Sequence, residues 1–267
     1  MDVVHLIVLA AVQGVTEFLP ISSSGHLVLV PLFMDVPDQG LMLDVAVHVG
    51  TLFAVIVYFS RDVWSMFTGL LSLLRGRKDP HGRLLFLLIV STIPVVAAGF
   101  VLNQYYPDAL RGIKVIGWTT FGFGILLLIS DQFGMTLRRI EHLRIGDALV
   151  IGVVQVLALI PGTSRSGICI TAARIMGMER RDAARFAMLL GVPTIAGAGI
   201  LKGHELWQMG DVRLTLDVFI AGGLSMLMAL ISIALMMVWL RRATFTIFAV
   251  YRLLLGGFLL VVAYGYN

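Results

Sequence analysis

Gln13-Gly-Val-Thr-Glu17-Phe-Leu-Pro20-Ile-Ser22-Ser23-Ser24-Gly25-His26 places a carboxylate, three serine hydroxyls and an imidazole in a chain that is otherwise close to continuous hydrocarbon. A second polar stretch, Pro161-Gly-Thr-Ser164-Arg165-Ser166-Gly167, echoes it about 140 residues later. Each interrupts an apolar run: Val3 to Met34 breaks at Pro20, Ile145 to Met176 breaks at Pro161-Gly162, and Ser and Gly follow both breaks. Such runs read as two half-helices around a loop at membrane depth, which is tolerated only where the loop is buried in protein or lines a cavity. A charge at the bilayer centre costs roughly 2.5 to 3.5 kcal/mol on insertion scales. Two such islands therefore mark a site, and function is to be sought where they meet.

Working outward, 58% hydrophobic residues, 13% charged residues and a mean hydropathy of +0.94 describe a polytopic helical membrane protein, because no water-soluble core hides that much apolar surface. Met1 to Leu9 contains no Lys or Arg, so the basic region of a cleavable signal peptide is missing and the amino terminus is expected to belong to the mature fold. The single cysteine, Cys169, excludes an internal disulfide, and no Cys and His cluster has zinc-like spacing. A net charge of +4 is compatible with nucleic acid, but in a membrane protein excess Lys and Arg mark cytoplasmic loops.

A membrane helix needs about 20 mostly apolar residues. Six stretches qualify: Leu43 to Phe59, Leu84 to Leu102, Ile113 to Ser130, Arg185 to Leu201, Thr215 to Leu240 and Phe245 to Ala263. With the two broken runs, the expected fold is an all-α polytopic membrane protein of six transmembrane helices plus two re-entrant helix hairpins. The order hairpin, three spans, hairpin, three spans divides a single membrane domain into residues 1–137 and 138–267. Three spans per half make the second hairpin enter from the opposite face, giving an inverted-topology repeat whose polar loops converge near the midplane. Loop charge agrees: fourteen basic residues (Arg61, Arg75, Arg77, Lys78, Arg83, Arg138, Arg139, Arg144, Arg174, Arg180, Arg181, Arg185, Arg241, Arg242) fall on one side, against Arg111, Lys114, Lys202 and Arg213 on the other. The first side is expected to be cytoplasmic, with both termini outside.

In the second island, backbone N–H groups, hydroxyls and the Arg165 guanidinium precede an apolar half-helix and together suit an anion. Capping serines and a structural partner for Arg165 are the plainer alternative. GxxxxGK[ST] is absent, so no nucleotide is implied. In the first island Gln13 and Glu17 share a helix face four residues apart, with His26 returning after the turn. Glutamate with oxygen donors suits Mg²⁺ or Ca²⁺. His26 suits acid–base work or direct attack on phosphorus, or else is a histidine bonded to backbone; Ser22, Ser23 and Ser24 are caps, phosphate donors or, in one case, a nucleophile. Asp44 and His48 read as a local helix pair that can extend the polar cavity. Arg252 snorkels or neutralises a buried acid, and Gly191-Val-Pro193 and Gly197-Ala-Gly199 read as close packing with a kink.

The two islands resemble those of the undecaprenyl pyrophosphate phosphatase family, bacterial membrane enzymes also known as bacitracin-resistance proteins. The resemblance runs through an (E/Q)xxxE element at Gln13 to Glu17, the segment Phe18 to His26 and a PGxSRSxxT-like element at Pro161 to Cys169. It continues through His48-Val-Gly50-Thr51, Leu189-Leu-Gly-Val-Pro193 and Ala249-Val-Tyr-Arg252, and so spans the chain. It implies a bacterial plasma-membrane enzyme that hydrolyses C55 polyprenyl diphosphate to the monophosphate carrier recycled in cell-wall synthesis. Bacitracin would compete indirectly by sequestering that substrate. Catalytic roles fall on Glu17, His26, Ser23 and Arg165; diphosphate binding on Ser22, Ser24, Ser164, Arg165, Ser166 and Gly167; a divalent cation, Mg²⁺ or Ca²⁺, on Glu17 and Gln13. Two positions depart from the pattern: Gln13 stands where many members have glutamate, and Cys169 where they have threonine, with Thr171 the nearest substitute. The competing class is a carrier that flips polyprenyl phosphate, since broken hairpins meeting at mid-membrane also build transporters; Glu17 with His26 favours chemistry.

Overall fold

Backbone donors and acceptors have no water to bond in hydrocarbon, so an apolar chain of this kind closes its hydrogen bonds within helices. The computed structural model describes residues 3–34, 36, 40–77, 79–105, 112–209 and 212–265, and its regular elements are helical apart from one bridge between Arg138 and Met178. Along the chain run α1 (Val3–Thr16), α2 (Ser23–Leu27), α3 (Leu29–Met34), α4 (Leu41–Tyr58), α5 (Ser60–Leu74) and α6 (Pro80–Tyr105). They are followed by α7 (Ile113–Phe133), α8 (Ile145–Gln155), α9 (Arg165–Ile175), α10 (Arg180–Met209), α11 (Val212–Trp239) and α12 (Thr246–Gly265). Among the described residues, α6, α7, α11 and α12 are long and apolar enough to cross a membrane, and α4 with α5 makes a fifth if that bent pair is one span. The chain is a multi-pass helical membrane protein.

Both expected breaks are present, between α1 and α2 at residues 17–22 and between α8 and α9, where a 3₁₀ turn (Val156–Leu159) leads into residues 160–164. One helix was not anticipated. Residues 60–74 lack an apolar run long enough to span, yet they form α5, which meets α4 at 82°. It is amphipathic, with Met66 and Gly69 buried and Trp64, Phe67 and Leu74 exposed. A Cβ on Gly69 would lie 2.3 Å from the Gly82 nitrogen, so α5 and α6 approach at their backbones.

The larger core centres on α9 and α10, where Ile168 to Ala173 and, apart from Arg185, Ala183 to Leu190 are almost wholly buried, and a smaller one joins α1, α4 and α11 through Leu9, Val47 and Ala221. The helices around them turn large apolar side chains outward, including Phe100, Phe133, Phe219 and Leu254, as a lipid-facing surface does.

The basic segments are tied to one another. Arg83 donates to Glu141 O and Leu143 O, Arg185 pairs with Asp62, and Asp131 accepts from both Arg174 (3.2 Å) and Arg180 (2.7 Å). Arg174 is thereby corrected from a loop charge to a fully buried anchor at the end of α9, bonded as well to the carbonyls of Asp131, Gly134, Met135 and Met178. Lys78 and Arg111, counted in the charge asymmetry, lie outside the described residues, as do the side chains of Lys202 and Arg213.

Candidate active site

The two breaks share one backbone device. Ser22 (φ 74°) and Ser164 (φ 69°) are, among the described residues, the non-glycine positions in the left-handed region, a conformation that costs an L-residue roughly 1 to 2 kcal/mol. Each offsets that cost by capping the helix it opens: Gly25 N–H donates to Ser22 Oγ at 3.3 Å and Gly167 N–H to Ser164 Oγ at 3.1 Å. In each case the Oγ also lies 3.2 Å from the hydroxyl two residues on, Ser24 or Ser166. The sharp turn aims the next residue. Ser23 follows Ser22 and donates to Glu17 Oε2 at 2.7 Å; Arg165 follows Ser164 and donates to Glu17 Oε1 at 2.9 Å.

The turns interlock. Gly162 N–H donates to Ser24 Oγ (3.3 Å), and Ser166 Oγ donates to Leu19 O (3.1 Å) and Glu17 O (3.3 Å). Beneath them lies Arg252 of α12, with no exposed surface. Its guanidinium donates to Pro20 O (3.4 Å), Gly162 O (3.0 Å), Thr120 O (3.2 Å) and Thr119 O (3.5 Å). Arg252 therefore neither snorkels nor neutralises an acid, as the sequence had suggested. It joins one carbonyl from each turn, Pro20 O and Gly162 O, to two carbonyls of α7.

Glu17 is 7% exposed and heavily bonded: besides Ser23 and Arg165 it accepts from Gln13 Nε2 at 2.9 Å, and His48 Nε2 stands 3.5 Å from Oε2. Arg165 also donates to Ala187 O (3.1 Å) and lies over the Phe18 ring. Gly191 makes room for it, since a Cβ there would meet Arg165 Nη1 at 2.7 Å. The pairing opens on a cavity of about 390 Å³ lined by Glu17, Ser23, Ser24, Asp44, His48, Ser164, Arg165 and Thr194.

Of the residues singled out from sequence, Glu17, Ser23, Ser24, Ser164 and Arg165 line this cavity. Ser22, Ser166 and Gly167 instead build the turns behind it, and Gln13 is buried behind Glu17. His26 points elsewhere: Nδ1 lies 2.7 Å from Ser22 O and Nε2 2.7 Å from the Tyr251 hydroxyl, with the two rings stacked. Because a carbonyl only accepts, Nδ1 carries the proton and Nε2 accepts from Tyr251. Thr171 does not replace a hydroxyl at Cys169; it donates to Gly167 O within its own helix, while Cys169 contacts Gln155 Oε1. Sequence reasoning underrated His48, whose spacing from Asp44 on α4 was the available signal, and missed Thr194 and the space-making role of Gly191.

Among the described residues no group of three or more His, Cys, Asp and Glu is placed to hold a metal. Oxygen donors are nonetheless gathered: Glu17 and Asp44 line one cavity, and Gln13 Oε1 is buried without a hydrogen-bond partner beside Glu17. The two cavity carboxylates fit a hard divalent cation that takes few protein ligands and completes its shell with phosphate oxygens and water, whereas Gln13 is fully buried and does not line the cavity.

The chain matches the family described as Bacitracin resistance protein BacA over residues 6–258. It is 48% identical over 271 residues to "Undecaprenyl-diphosphatase 1" of Rhodospirillum rubrum, covering 99% of this chain and 96% of that protein. It is 50% identical over 266 residues to "Undecaprenyl-diphosphatase" of a Jannaschia species, covering 99% of this chain and all of that one. To the protein of the same name from Hahella chejuensis it is 45% identical over 261 residues, covering 97% and 98%.

Proposed function

Because this chain belongs to the bacitracin resistance protein BacA family, we propose that its Glu17, Ser23 and Arg165 carry out the hydrolysis of undecaprenyl diphosphate to undecaprenyl phosphate and inorganic phosphate. The protein is a membrane phosphatase of the lipid carrier used in cell-wall synthesis. One observation carries the residue assignment: the hydroxyl of Ser23 and the guanidinium of Arg165, from turns far apart in sequence, meet on the two oxygens of one buried carboxylate.

Glu17 is the general base, placed by Arg165, Gln13 and His48, and Ser23 is the nucleophile. As the Ser23 Oγ–phosphorus bond forms, the bond from the terminal phosphorus to the bridging oxygen breaks. Glu17 takes the hydroxyl proton and passes it to the departing undecaprenyl phosphate. Water then attacks the phosphoserine as the bond from Ser23 Oγ to phosphorus breaks; Glu17 takes a proton from the water and delivers it to the Ser23 oxygen as inorganic phosphate leaves. Arg165, Ser24, Ser164 and Thr194 face the same space and offer donors to the diphosphate oxygens, so the rate gain comes mainly from positioning and charge stabilisation. Glu17 and Asp44 would hold Mg²⁺ or Ca²⁺, which would supply charge neutralisation to the diphosphate when bound. His26, turned toward Tyr251, shapes the first turn through Ser22. Bacitracin, by sequestering the substrate, would act without touching this site.

The membrane arrangement that goes with this chemistry is six spans and two re-entrant hairpins in an inverted repeat within a bacterial plasma membrane, with both termini outside. Its support is the recurrence of the Ser22 geometry at Ser164 and a packing pattern that survives exchange of the halves. Pairing α1 with α8, α4 with α10, α6 with α11 and α7 with α12 converts the α1–α11 contact into α8–α6 and the α4–α11 contact into α10–α6, and all four are present. The carrier reading rests on no comparable observation.

Phosphate release from purified protein in lipid nanodiscs supplied with undecaprenyl diphosphate tests the assignment. Ser23→Ala and Glu17→Gln each lose turnover by at least about a thousandfold, and a chelator lowers the wild-type rate. Full activity in Ser23→Ala transfers the attack to water or His26.

A further inference from the structure

A groove of about 320 Å³ lies between α4, α10 and α11, and every residue lining it is apolar or glycine. We infer that it receives the head-proximal part of the substrate's isoprenoid chain, an inference that rests on the phosphatase reading above and names where the lipid half of that substrate goes.

Two helices pass from the polar cavity into this groove. On α4, Asp44 and His48 line the cavity, Val49 and Phe53 line the groove, and Val45 lines both. On α10, Thr194 and Ile195 line the cavity and Gly199 the groove. Among the described residues, a molecule held by its phosphates at Arg165 meets, beyond Val45, a lining of apolar residues and glycine.

The floor is made by close helix approach. A Cβ on Gly50 would sit 2.1 Å from Gly222 O, so α4 and α11 touch at the backbone and cannot carry side chains there. Gly223, by contrast, has nothing within 4 Å of its would-be Cβ, although it lines the groove. The α4 stretch along the groove, residues 42 to 53, is roughly 16 Å long at the helical rise. An extended isoprenoid advances about 5 Å per five-carbon unit on ordinary bond lengths. The groove thus takes on the order of three units, and the rest of the chain stays in the bilayer.

A larger apolar groove of about 590 Å³, between α6 and the 3₁₀ turn, is the rival. It shares no lining residue with the polar cavity.

The test fills each groove in turn. Gly223→Ala and Gly223→Leu place increasing bulk in open space in a helix interior, where both residues are better helix formers than glycine. Ala98→Leu loads the rival groove, and Gly257→Leu, on α12 with nothing within 4 Å of its would-be Cβ, controls for added bulk. Two constants are measured in nanodiscs: KM for undecaprenyl diphosphate, and the inhibition constant of inorganic pyrophosphate, which has the phosphates but no chain. Gly223→Leu is expected to raise KM about tenfold or more, Gly223→Ala less, with the pyrophosphate constant unmoved and Gly257→Leu silent. A KM unmoved by Gly223→Leu, a pyrophosphate constant that rises in parallel, or the shift appearing with Ala98→Leu overturns the inference. If wild type releases no phosphate from undecaprenyl diphosphate, the phosphatase reading itself fails, a result distinct from all of these.

Discussion

Replacing Arg165 with alanine leaves the Glu17 carboxylate buried, still bonded to Ser23 and Gln13 but without its 2.9 Å cationic partner. At that separation, with an effective dielectric near 20, the attraction is about 6 kcal/mol, much of it opposed by the desolvation both groups already bear. Removing one partner of a buried pair costs about 3 to 5 kcal/mol, because the survivor keeps its desolvation cost and loses its compensation. Glu17→Gln strands the guanidinium, which is 13% exposed, in the same way. The double variant strands neither, so its loss should fall short of the summed single losses by at least about 2 kcal/mol. Cys169 is a built-in reporter: it is the sole cysteine and fully buried, so a thiol-reactive fluorophore labels it when the fold opens. Labelling of the four proteins across a temperature or denaturant series closes the cycle, with phosphate release measured in parallel. Losses that simply add would refute the pairing, and with it the claim that Arg165 positions the base. All three variants should be catalytically poor, so activity alone does not decide the matter.

Other expectations follow from neighbouring contacts. Gly191→Ala puts a Cβ 2.7 Å from Arg165 Nη1, and kcat/KM should fall about 10- to 100-fold although no functional group is lost; an unchanged value would mean that the guanidinium has slack. Arg252→Met strips hydrogen bonds from carbonyls of both turns and should lower both kcat and the unfolding midpoint, and Arg252→Lys should rescue poorly because an ammonium cannot span that set of acceptors. Full rescue by lysine would reduce Arg252 to its charge. At the rim of α8, the hydrogen bond and charge of Arg138 hold the Asp147 carboxyl below its ordinary range, aided by the Arg144 backbone N–H. The stabilisation is present above the unfolded carboxyl value and is lost as pH falls through the folded one. Arg138→Ala should therefore flatten the acid limb of a Cys169-labelling stability profile, and an unaltered limb would show that the pair contributes nothing.

How far the fold could be read from the sequence depended on whether the cause was local. Pro20 and Pro161-Gly162 interrupt helices through their own missing N–H and steric demands, so both breaks were visible. α5 was not, because an amphipathic helix of 15 residues has no continuous apolar run and declares itself only through the α6 face that buries Met66 and Gly69. The left-handed serines were equally hidden, since glycine is the usual occupant of that backbone region and the compensating caps exist only in three dimensions. Glu17, Ser23 and Arg165 stood out because polar groups are expensive in lipid. Arg174 and Arg252 did too, but what satisfies them is a set of carbonyls from remote segments, which no spacing rule encodes. The contacts of His26 were hidden for a similar reason: its sequence neighbours Ser23 and Ser24 line the cavity, while its ring bonds Tyr251, 225 residues away.

The clamp made by Arg252 bears on how the protein is born. Glu17 waits for a partner 148 residues downstream, and Pro20 O for one 232 residues downstream, on the last described helix. While the ribosome is still feeding earlier helices into the bilayer, the first turn holds a carboxylate with no cation and carbonyls with no donor. A chain stopped before α12 already holds Arg165 for the carboxylate but strands Pro20 O and Gly162 O, at a cost of several kcal/mol per unsatisfied group. Arrival of α12 and closure of the two turns are thus the same event, and a chain without that helix presents membrane quality control with buried polar groups instead of a partly working enzyme.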